Sequence, residues 1–467
     1  MDTNHHQPRP VTLRTRAYHM RRYEMRKKLF AVIMTAVMAV SLAACGGNSA
    51  GTGTDASNGS DTTDSSAAVE YVPLEPGAPV AKTDMKIGLI CAGNEENGYN
   101  ASHIAGLTKA CEDLSLDTAT QLIIKKDIPE DESCYNAAKE LVDEGCGIIF
   151  SDSYGHQNYM QTAAVEFPDV VFVACTGDTA AASGLTNFKN IFPHEFEARY
   201  VSGVAAGKKL AALMDEDPSL DPYVGYVGSF PYAEIVSGMT AFFLGIRSVV
   251  PEAHMDVEYI GYEHDLADKT ADANAANSLI SNGCVIIGQY DDSTEVASAV
   301  EAANQSGQKV YCVGYNRDLR DVAPNAALTS AMNNWSVLYE NMISCMIEGE
   351  VIPVDYSVGA DQNAVMISEL GAACAEGTQE AVDAAWAGIK DGSLQVFDTT
   401  TFTCQASDDD SYVVDDNGVL LSAYGLDADG DLINDYGEAV IDGAFVESEL
   451  RSAPYFSLSI DGITSLA

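Results

Sequence analysis

The stretch Lys86-Ile87-Gly88-Leu89-Ile90 is a short apolar run that predicts a buried β-strand, and the pattern that follows it decides the fold. Residues 101–114 come next with apolar side chains at helical spacing, and a second strand is predicted over 120–124. Strand and helix then alternate up to residue 174. Alternation at this pitch indicates right-handed βαβ units, and therefore an α/β fold built on a doubly wound parallel sheet.

The same alternation restarts after a break, with a long helix predicted over 196–214 and a last strand over 309–313. Two consecutive units of similar size predict two α/β lobes, since a chain of 467 residues is too long for one ordinary core. Ligands of doubly wound sheets bind at the carboxyl ends of the strands. Two lobes that face each other would therefore hold a ligand in the cleft between them.

The loops that follow the predicted strands combine aromatic side chains with carboxylates, amides and hydroxyls. Flat rings beside groups that bind hydroxyls suit a ligand with a ring and a polyol, such as a nucleoside or a sugar. Turn chemistry alone favours Asp, Asn, Ser and Gly, so the inference depends on the recurrence of the pattern in six loops. The loops are 93–100, 151–156, 228–232 with Phe230, 261–265, 289–292 with Asp291, and 314–318.

The N-terminal segment has the layout of a lipoprotein signal. Met25–Lys28 (MRKK) is basic, an apolar run follows, and Leu42–Cys45 (LAAC) matches the lipobox of bacterial lipoproteins. In such proteins the cysteine is acylated, and two or more acyl chains anchor a protein stably where one does not. We expect 1–44 to be the signal peptide, 45–85 to be a flexible tether, and Cys45 to be lipidated at the extracytoplasmic face of the cell membrane. The alternative is an ordinary signal peptide with a chance cysteine.

Charge and cysteine usage exclude several classes of protein. The chain has 25 Lys and Arg against 69 Asp and Glu, a net charge of −44, and the part that follows residue 44 carries −50. A surface this acidic does not attract nucleic acid, because phosphate binding needs clustered Lys and Arg. Apart from Cys45, the ten cysteines show no spacing typical of a zinc site.

Three stretches resemble the basic membrane protein family, the PnrA-like substrate-binding lipoproteins of ABC transporters. They are 147–155 (GIIFSDSYG) with 167–172, 198–207 (ARYVSGVAAG), and 224–228 (VGYVG) with 241–251. The similarity spans roughly residues 86–395. The resemblance implies a type I periplasmic-binding-protein fold, with two lobes joined by a hinge. It also implies capture of a small, nucleoside-like solute in the cleft and delivery of that solute to an ABC import permease.

The resemblance also implies how the chain divides. We expect the first lobe to comprise 86–191 and 316–350, the second lobe 192–315 and 351–397, and an acidic extension to cover 398–467. The hinge crossings are expected near 190–193, 314–315 and 350–356.

In the family that the chain resembles, aromatic rings sandwich the base and carboxylates hold the ribose. The family's acid-x-Ser-Phe-Asn element corresponds to Glu96–Asn100, with Tyr99 in place of the stacking phenylalanine. The second stacking aromatic corresponds to Tyr262 or His264, because the register there is open. The predicted ligand-binding residues are Glu96, Tyr99, Asn100, Asp152, Tyr154, Phe230, Tyr262, His264, Asp291, Asn316 and Asn333.

Two of these positions depart from the family pattern. Asn316 and Asn333 stand where the family often has an aspartate and a lysine, both associated with the ribose hydroxyls. Neutral side chains at both positions keep the charge balance of the cleft. Recognition of hydroxyls would be weaker, however, since charge-assisted hydrogen bonds are roughly twice as strong as neutral ones. The sequence therefore supports solute binding more directly than it supports a nucleoside as the solute.

The C-terminal extension contains acidic residues at the spacing of a calcium-binding loop. Leu432 replaces the glycine that usually follows the third acid, and an acidic surface turn is the alternative. The candidate calcium ligands are Asp427, Asp429, Asp431, Asp435 and Glu438. We expect no other cofactor.

The sequence shows no motif of a familiar catalytic site. It has no G-x-S-x-G, H-E-x-x-H or P-loop and no clear dinucleotide fingerprint, and its eight histidines are scattered. We therefore expect a binding protein and not an enzyme. The open alternatives are a surface lipoprotein that senses a ligand without transport, a binder of sugars in place of nucleosides, and a tethered adhesin.

Overall fold

The computed structural model describes residues 77–261, 270–290, 292–406, 412–423 and 438–466, which contain seventeen strands and eleven α-helices. The strands are β1 (Ile87–Ile90), β2 (Leu122–Lys125), β3 (Ile148–Ser151), β4 (Val171–Ala174), β5 (Phe188–Ile191), β6 (Tyr223–Gly228), β7 (His254–Tyr259), β8 (Ile286–Tyr290), β9 (Tyr311–Tyr315), β10 (Ala327–Asn333), β11 (Asp355–Tyr356), β12 (Val365–Ile367), β13 (Tyr412–Val414), β14 (Leu420–Ala423), β15 (Val440–Ile441), β16 (Ala444–Phe445) and β17 (Ile463–Leu466). The helices are α1 (Gly98–Asp113), α2 (Thr118–Gln121), α3 (Glu132–Asp143), α4 (Gln157–Glu166), α5 (Ala180–Ser183), α6 (Glu195–Glu216), α7 (Ala233–Arg247), α8 (Thr270–Ser281), α9 (Glu295–Gln305), α10 (Trp335–Glu348) and α11 (Thr378–Asp391).

The first lobe is built on a six-stranded sheet in the spatial order β11-β5-β4-β3-β1-β2, and every neighbouring pair is parallel. Its central strands β1 and β3 are buried along their whole length, because helices cover both faces of the sheet. Leu107 of α1 and Trp335 of α10 belong to the core on one face. Leu141 of α3 and Met160 of α4 belong to the core on the other face.

The second lobe is built on a seven-stranded sheet in the order β12-β10-β9-β8-β6-β7-β17. All its pairs are parallel except β10 with β12. Helices α6 and α7 pack against each other so closely that a Cβ at Gly203 would collide with the Phe242 carbonyl oxygen, and one at Gly245 with the Tyr200 carbonyl oxygen. Glycine at these two positions therefore sets the spacing of the helix pair beneath the sheet.

Within the described residues the chain crosses between the lobes at three places: from β5 to α6, from β10 to α10, and from β11 to β12. Two expected boundaries are corrected. We expected first-lobe chain from residue 316, but β10 pairs with β9 in the second sheet. We expected second-lobe chain from residue 351, but β11 pairs with β5 in the first sheet. Hydrogen bonding to the neighbouring strand, and not position along the chain, assigns each segment to its lobe.

The described residues after 398, in a segment that we expected to extend beyond the lobes, pack in large part into the second lobe. Phe456 stacks on Phe397 with ring centres 4.4 Å apart, and Phe402 and Phe445 join the same core. Strand β17 pairs in parallel with β7 at the edge of the second sheet. The buried aromatic side chains explain why this segment joins the lobe although its composition is acidic.

Residues 450–456, here called the strap, belong to the second lobe but also contact the first. Phe456 is buried in the second-lobe core. Arg451 Nη1 lies 3.5 Å from Asp178 Oδ2, and the backbone amide of the next residue donates to both carboxylate oxygens of Asp355 at 3.1 Å. Asp178 follows β4 and Asp355 begins β11, so the strap joins the two lobes in addition to the crossing segments.

The ten cysteines in the described part of the chain are free thiols, and all except Cys374 are buried. Burial raises the pKa of the Cys146 thiol to about 11 and that of Cys312 to about 12, so these side chains behave as small apolar groups. No helix in the described ranges is long and apolar enough to cross a bilayer. The predicted signal peptide and Cys45 lie outside the described residues.

Candidate functional site

A cavity of about 1050 Å³ lies between the carboxyl ends of the two sheets and receives side chains from both lobes. On the first lobe its polar and aromatic wall follows β1, β3 and β4, and on the second it follows β6, β8 and β9. The first-lobe wall includes Asn94, Glu96, Asn97, Tyr99, Asp127, Glu130, Asp152, Ser153, Tyr154 and Thr176. The second-lobe wall includes Ser229, Tyr232, Glu234, Tyr290, Asp292, Ser293, Thr294, Tyr315 and Arg317.

Tyr99 is held in a fixed orientation at the start of α1. Its helix is capped by Asn97, whose side chain accepts from the Asn100 amide at 3.0 Å. The Tyr99 hydroxyl donates to the Cys175 carbonyl oxygen at 3.0 Å, and its ring makes an edge contact with Trp335 at 6.2 Å between ring centres. The ring therefore offers a preorganised aromatic surface to the cavity.

Asp152, directly after β3, is the fully buried carboxyl of the first-lobe wall. Its Oδ1 accepts from the Ala92 amide at 2.9 Å, and its Oδ2 accepts from Asn100 Nδ2 at 2.5 Å. Burial raises the pKa of Asp152, and these two hydrogen bonds oppose the rise because they favour the charged form. Asp152 is thus a hydrogen-bond acceptor whose direction is set by the fold.

Tyr154 and Glu96 lie nearer the mouth of the cavity. The Tyr154 side chain is 48% exposed, and its hydroxyl donates to Asp178 Oδ2 at 2.8 Å. This is the same carboxylate that Arg451 of the strap approaches. The mouth on the first-lobe side is therefore connected to the strap through one aspartate.

At the second-lobe wall lies a cluster of two glutamates and two tyrosines that the sequence did not predict as a unit. Glu234, Tyr290 and Tyr315 line the cavity, and Glu195 lies behind them. The Tyr290 hydroxyl lies within hydrogen-bonding distance of Glu195 Oε1 and also 2.9 Å from Glu234 Oε1. The Tyr315 hydroxyl donates to Glu195 Oε2 at 2.8 Å. Glu195 and Glu234 come from the first turns of α6 and α7, so two helix N-termini bring carboxyls to the ends of β8 and β9.

Arg199 lies behind this cluster, one turn after Glu195 on α6. Its guanidinium carbon is 3.8 Å from the ring centre of Tyr290 and 3.6 Å from that of Tyr315, which is cation–π geometry. Its Nη1 donates to the Gln289 carbonyl oxygen at 2.9 Å. Burial, followed by the charge of Glu195, raises the pKa of Glu234 to about 8.

Three predicted asparagines lie behind the cavity wall and orient acids. Asn100 donates to Asp152 at 2.5 Å, Asn316 donates to Asp292 Oδ1 at 3.0 Å, and Asn333 donates to Glu195 Oε2 at 3.4 Å. None of the three is among the described residues that line the cavity. Their place in the structure is that of positioning residues for neighbouring carboxylates.

Phe230 is half exposed and does not line the cavity, whereas Tyr232, whose ring centre lies 6.4 Å away, does. Tyr262, His264 and Asp291 lie outside the described residues.

The calcium prediction falls largely on undescribed chain. Asp427, Asp429, Asp431 and Asp435 lie outside the described ranges. Glu438 is described, and its carboxylate accepts from Ser422 Oγ at 2.5 Å and from the Val440 amide at 2.9 Å. A calcium site in this segment stays a prediction.

Sequence reasoning found the loops that contain Tyr290 and Tyr315 but did not select these residues. Glu195 and Glu234 were missed because an acid in the first turn of a helix is common without any ligand, since it complements the helix dipole. No local pattern indicates that two such helices converge on one tyrosine.

A sequence model of the family described as "Bmp: ABC transporter substrate-binding protein PnrA-like" matches residues 86–398. Among curated relatives, a purine-binding protein of Brucella abortus (strain 2308) is 29% identical over 274 residues, which is 58% of this chain and 72% of the relative. A Haloferax volcanii protein assigned as an ABC transporter glucose-binding protein is 30% identical over 255 residues, 55% of this chain and 60% of the relative.

Among solved structures, the ABC transporter solute-binding protein of Aeropyrum pernix K1 superposes with a TM-score of 0.56 at 13% identity. The match covers 70% of this chain and 95% of that protein. At this identity the similarity concerns the fold, and it confirms the expected two-lobed, type I periplasmic-binding architecture.

Proposed function

Because the chain belongs to the PnrA-like family of ABC transporter substrate-binding proteins, we propose that it captures a small nucleoside-like solute between its lobes and delivers it to a membrane permease. The observation that carries this proposal is the cavity itself, which both lobes line with aromatic rings and carboxylates. Its volume of about 1050 Å³ lies just above the usual range for small-molecule sites, which is roughly 300–1,000 Å³.

The geometry supports a mechanism of capture by closure. The Gly98 amide of the first lobe donates to the Asp292 carbonyl oxygen of the second lobe at 3.3 Å, so the lobes meet at one edge of the cavity. A solute that contacts Tyr99 and Asp152 on one wall and Tyr290 on the other interacts with both lobes only when they are close. Such a solute selects the closed state, which is the form that a permease would recognise.

A nucleoside is the favoured solute because one relative is a purine-binding protein and because Tyr99 offers a stacking surface beside a fixed acceptor. A sugar is the second candidate. It is favoured by the glucose-binding assignment of the Haloferax relative and by the neutral Asn316 and Asn333, since a polyol can be bound through carboxylates and tyrosine hydroxyls alone. The lipid anchor on Cys45 is part of the same proposal and follows from the lipobox at Leu42–Cys45.

The decisive experiment is to identify what the protein retains. The full chain without residues 1–44 is purified from native cells and denatured, and the released small molecules are analysed by mass spectrometry and then titrated back by calorimetry. We expect one nucleoside or sugar at near-equal molar amount. Release of a peptide, or turnover of the added compound, would contradict the proposal. Radiolabelled palmitate should label the wild type but not Cys45→Ser, which tests the anchor separately.

A further inference from the structure

The two glutamates at the second-lobe wall make three contacts with tyrosine hydroxyls that have only two protons between them. Tyr290 has one hydroxyl proton, yet its oxygen lies within hydrogen-bonding distance of carboxyl oxygens of both Glu195 and Glu234. The single proton of Tyr315 is directed to Glu195. One of the two contacts of Tyr290 therefore requires a proton on a carboxyl group, because a phenol donates only once.

Other buried polar atoms behind the same wall are also unpaired. Asn333 is 7% exposed and uses its amide to donate to Glu195, and its Oδ1 has no hydrogen-bond partner in the described part of the chain. Buried polar atoms are rarely left unpaired without a reason, because each such atom has lost its hydrogen bond to water. Arg199 Nε and Nη2 likewise have no hydrogen-bond partner in the described part of the chain, so the polar groups around the two glutamates are incompletely paired.

The charges around Glu234 also leave an excess of negative charge. The groups that face it are Glu195 and Arg199 from α6, Tyr290 and Asp292 from the end of β8, Tyr315 from β9, and Tyr99 from α1. Arg199 is the one cation among them and it offsets one carboxylate, so a second ionised glutamate has no counter-charge. Among the described residues that line the whole cavity, Arg317 is the single Lys or Arg beside six Asp and Glu.

We propose that Glu234 is the residue that selects for ligand charge, and that the solute presents a protonated nitrogen, such as an ammonium or amidinium group, to it. The inference rests on the proposed solute-binding function and specifies its ligand class. A cation bound there supplies the missing positive charge and donates a hydrogen bond to the Glu234 carboxylate.

Binding of a cation at Glu234 can be written as an exchange of one proton for the charged nitrogen of the ligand. In the ligand-free protein Glu234 holds a proton, because burial and then the charge of Glu195 raise its pKa to about 8. When the cationic nitrogen arrives, that proton leaves to solvent and an N–H of the ligand takes its position. Binding of a cationic solute near neutral pH should therefore release about one proton, and binding of a neutral solute should release none.

The test uses matched pairs of probes that differ by one charged nitrogen: adenosine with 5′-amino-5′-deoxyadenosine, and D-glucose with D-glucosamine. Each is titrated by calorimetry into the full chain without residues 1–44, in two buffers of different ionisation enthalpy so that proton release is measured directly. The variants are Glu234→Gln, which keeps shape and removes charge, and Glu252→Gln, a control on an exposed glutamate outside the cavity. Circular dichroism and urea unfolding verify that both variants fold.

We expect the amino member of at least one pair to bind at least tenfold more tightly than its neutral partner, with release of a proton. We also expect its affinity to rise about tenfold between about pH 6 and about pH 7. In Glu234→Gln the preference and the proton release should disappear, and in Glu252→Gln both should persist.

Two results would overturn the inference, and they are distinguishable. In the first, the neutral members bind as tightly as the amino members and Glu234→Gln changes neither affinity. Glu234 then does not discriminate ligands by charge, although the solute-binding function stands. In the second, no member of either pair binds to the wild type at millimolar concentration. The proposal of a nucleoside or sugar as the solute is then wrong, and the assignment of a cationic ligand to Glu234 fails with it.

Discussion

Asp152 on the first-lobe wall and Glu234 on the second-lobe wall reach the same cavity, yet their carboxyls have different neighbours. Asp152 accepts two hydrogen bonds from the fold, from the Ala92 amide and from Asn100. Glu234 shares the single proton of Tyr290 with Glu195. Burial raises the pKa of both acids, but only Asp152 has dedicated donors that oppose the rise.

The difference separates two uses of a buried carboxyl. A carboxyl with its donors supplied by the chain is a permanent acceptor and fixes the orientation of whatever it binds. A carboxyl that lacks donors can exchange its proton for a ligand, so its contribution depends on pH and on ligand charge. The first wall therefore sets geometry and the second wall sets chemical selectivity.

The strongest test of the first wall is Asp152→Ala. The substitution leaves the Ala92 amide and the Asn100 side chain without their acceptor in the interior, which should lower the free energy of unfolding by on the order of 2–4 kcal/mol. Urea unfolding measures the loss. The control is Asp113→Ala, whose exposed pair with Lys109 is screened by solvent and should change the free energy of unfolding far less. Equal effects of the two substitutions would show that Asp152 is not fixed as described.

Tyr99→Ala tests whether the first wall supplies the stacking surface. The variant should lose on the order of 1–3 kcal/mol of affinity for the extracted ligand, by analogy with bases stacked on aromatic side chains. Tyr99→Phe keeps the ring and loses only the bond to the Cys175 carbonyl, so it should retain most of the affinity. Calorimetric affinity that is unchanged in Tyr99→Ala would remove this residue from the site.

The pH dependence of stability tests the second wall without any ligand. The pKa of Glu234 is about 8 in the folded chain against an ordinary value of 4.5, so the folded state retains a proton that the unfolded state releases. Stability from this group is complete below about pH 4.5 and is lost progressively as pH rises to about 8. Glu234→Gln should flatten that part of the profile in thermal unfolding at several pH values.

Glu447 contributes to the same pH profile of stability, because burial raises its pKa to about 8 as well. It does not line the cavity, so it separates an effect on stability from an effect on ligand binding. Glu447→Gln should flatten a second part of the same profile without changing ligand binding. A profile that keeps its full slope in the double variant would contradict the assignment of both groups.

The smallest expected effect belongs to Arg451→Ala. Asp178 keeps its bond from Tyr154 in this variant, so the stability should fall by only about 1 kcal/mol. Ligand dissociation, followed by stopped-flow fluorescence, should nevertheless become faster, because one link between the lobes is lost. Arg451→Lys is the matched control and should retain part of the link. If the dissociation rates do not differ among the wild type and the two variants, the strap does not influence ligand release from the cavity.

The sequence predicted the alternating elements well because buried parallel strands and amphipathic helices are local patterns. It did not predict that β10 joins the second sheet, since an apolar pattern predicts a buried strand but does not indicate which strand it will pair with. It also treated the segment after residue 398 as an extension. Its aromatic residues, including Phe402 and Phe456, are spaced too irregularly to indicate a core.

The same limit applies to the site. Tyr99, Asp152 and Tyr154 line the cavity where strand-end reasoning placed them. Asn316 and Asn333 were expected to face the ligand, and they instead support acids behind the wall. Glu195 and Glu234 lie 39 positions apart in sequence, and only the packing of α6 on α7 brings their carboxyls to one tyrosine.

The strap has a consequence for the entropy that is lost when the lobes close on a solute. A two-lobed protein joined by crossing segments alone can swing widely when empty, and a solute must then overcome the entropy of that swing. Here Arg451 and the backbone amide that follows it bind Asp178 and Asp355 of the first lobe, and such contacts restrict the angle between the lobes while they persist. Contacts between the lobes that form on folding reduce the conformational entropy that is lost when the lobes close on a solute. A dilute solute therefore loses less binding free energy to this ordering.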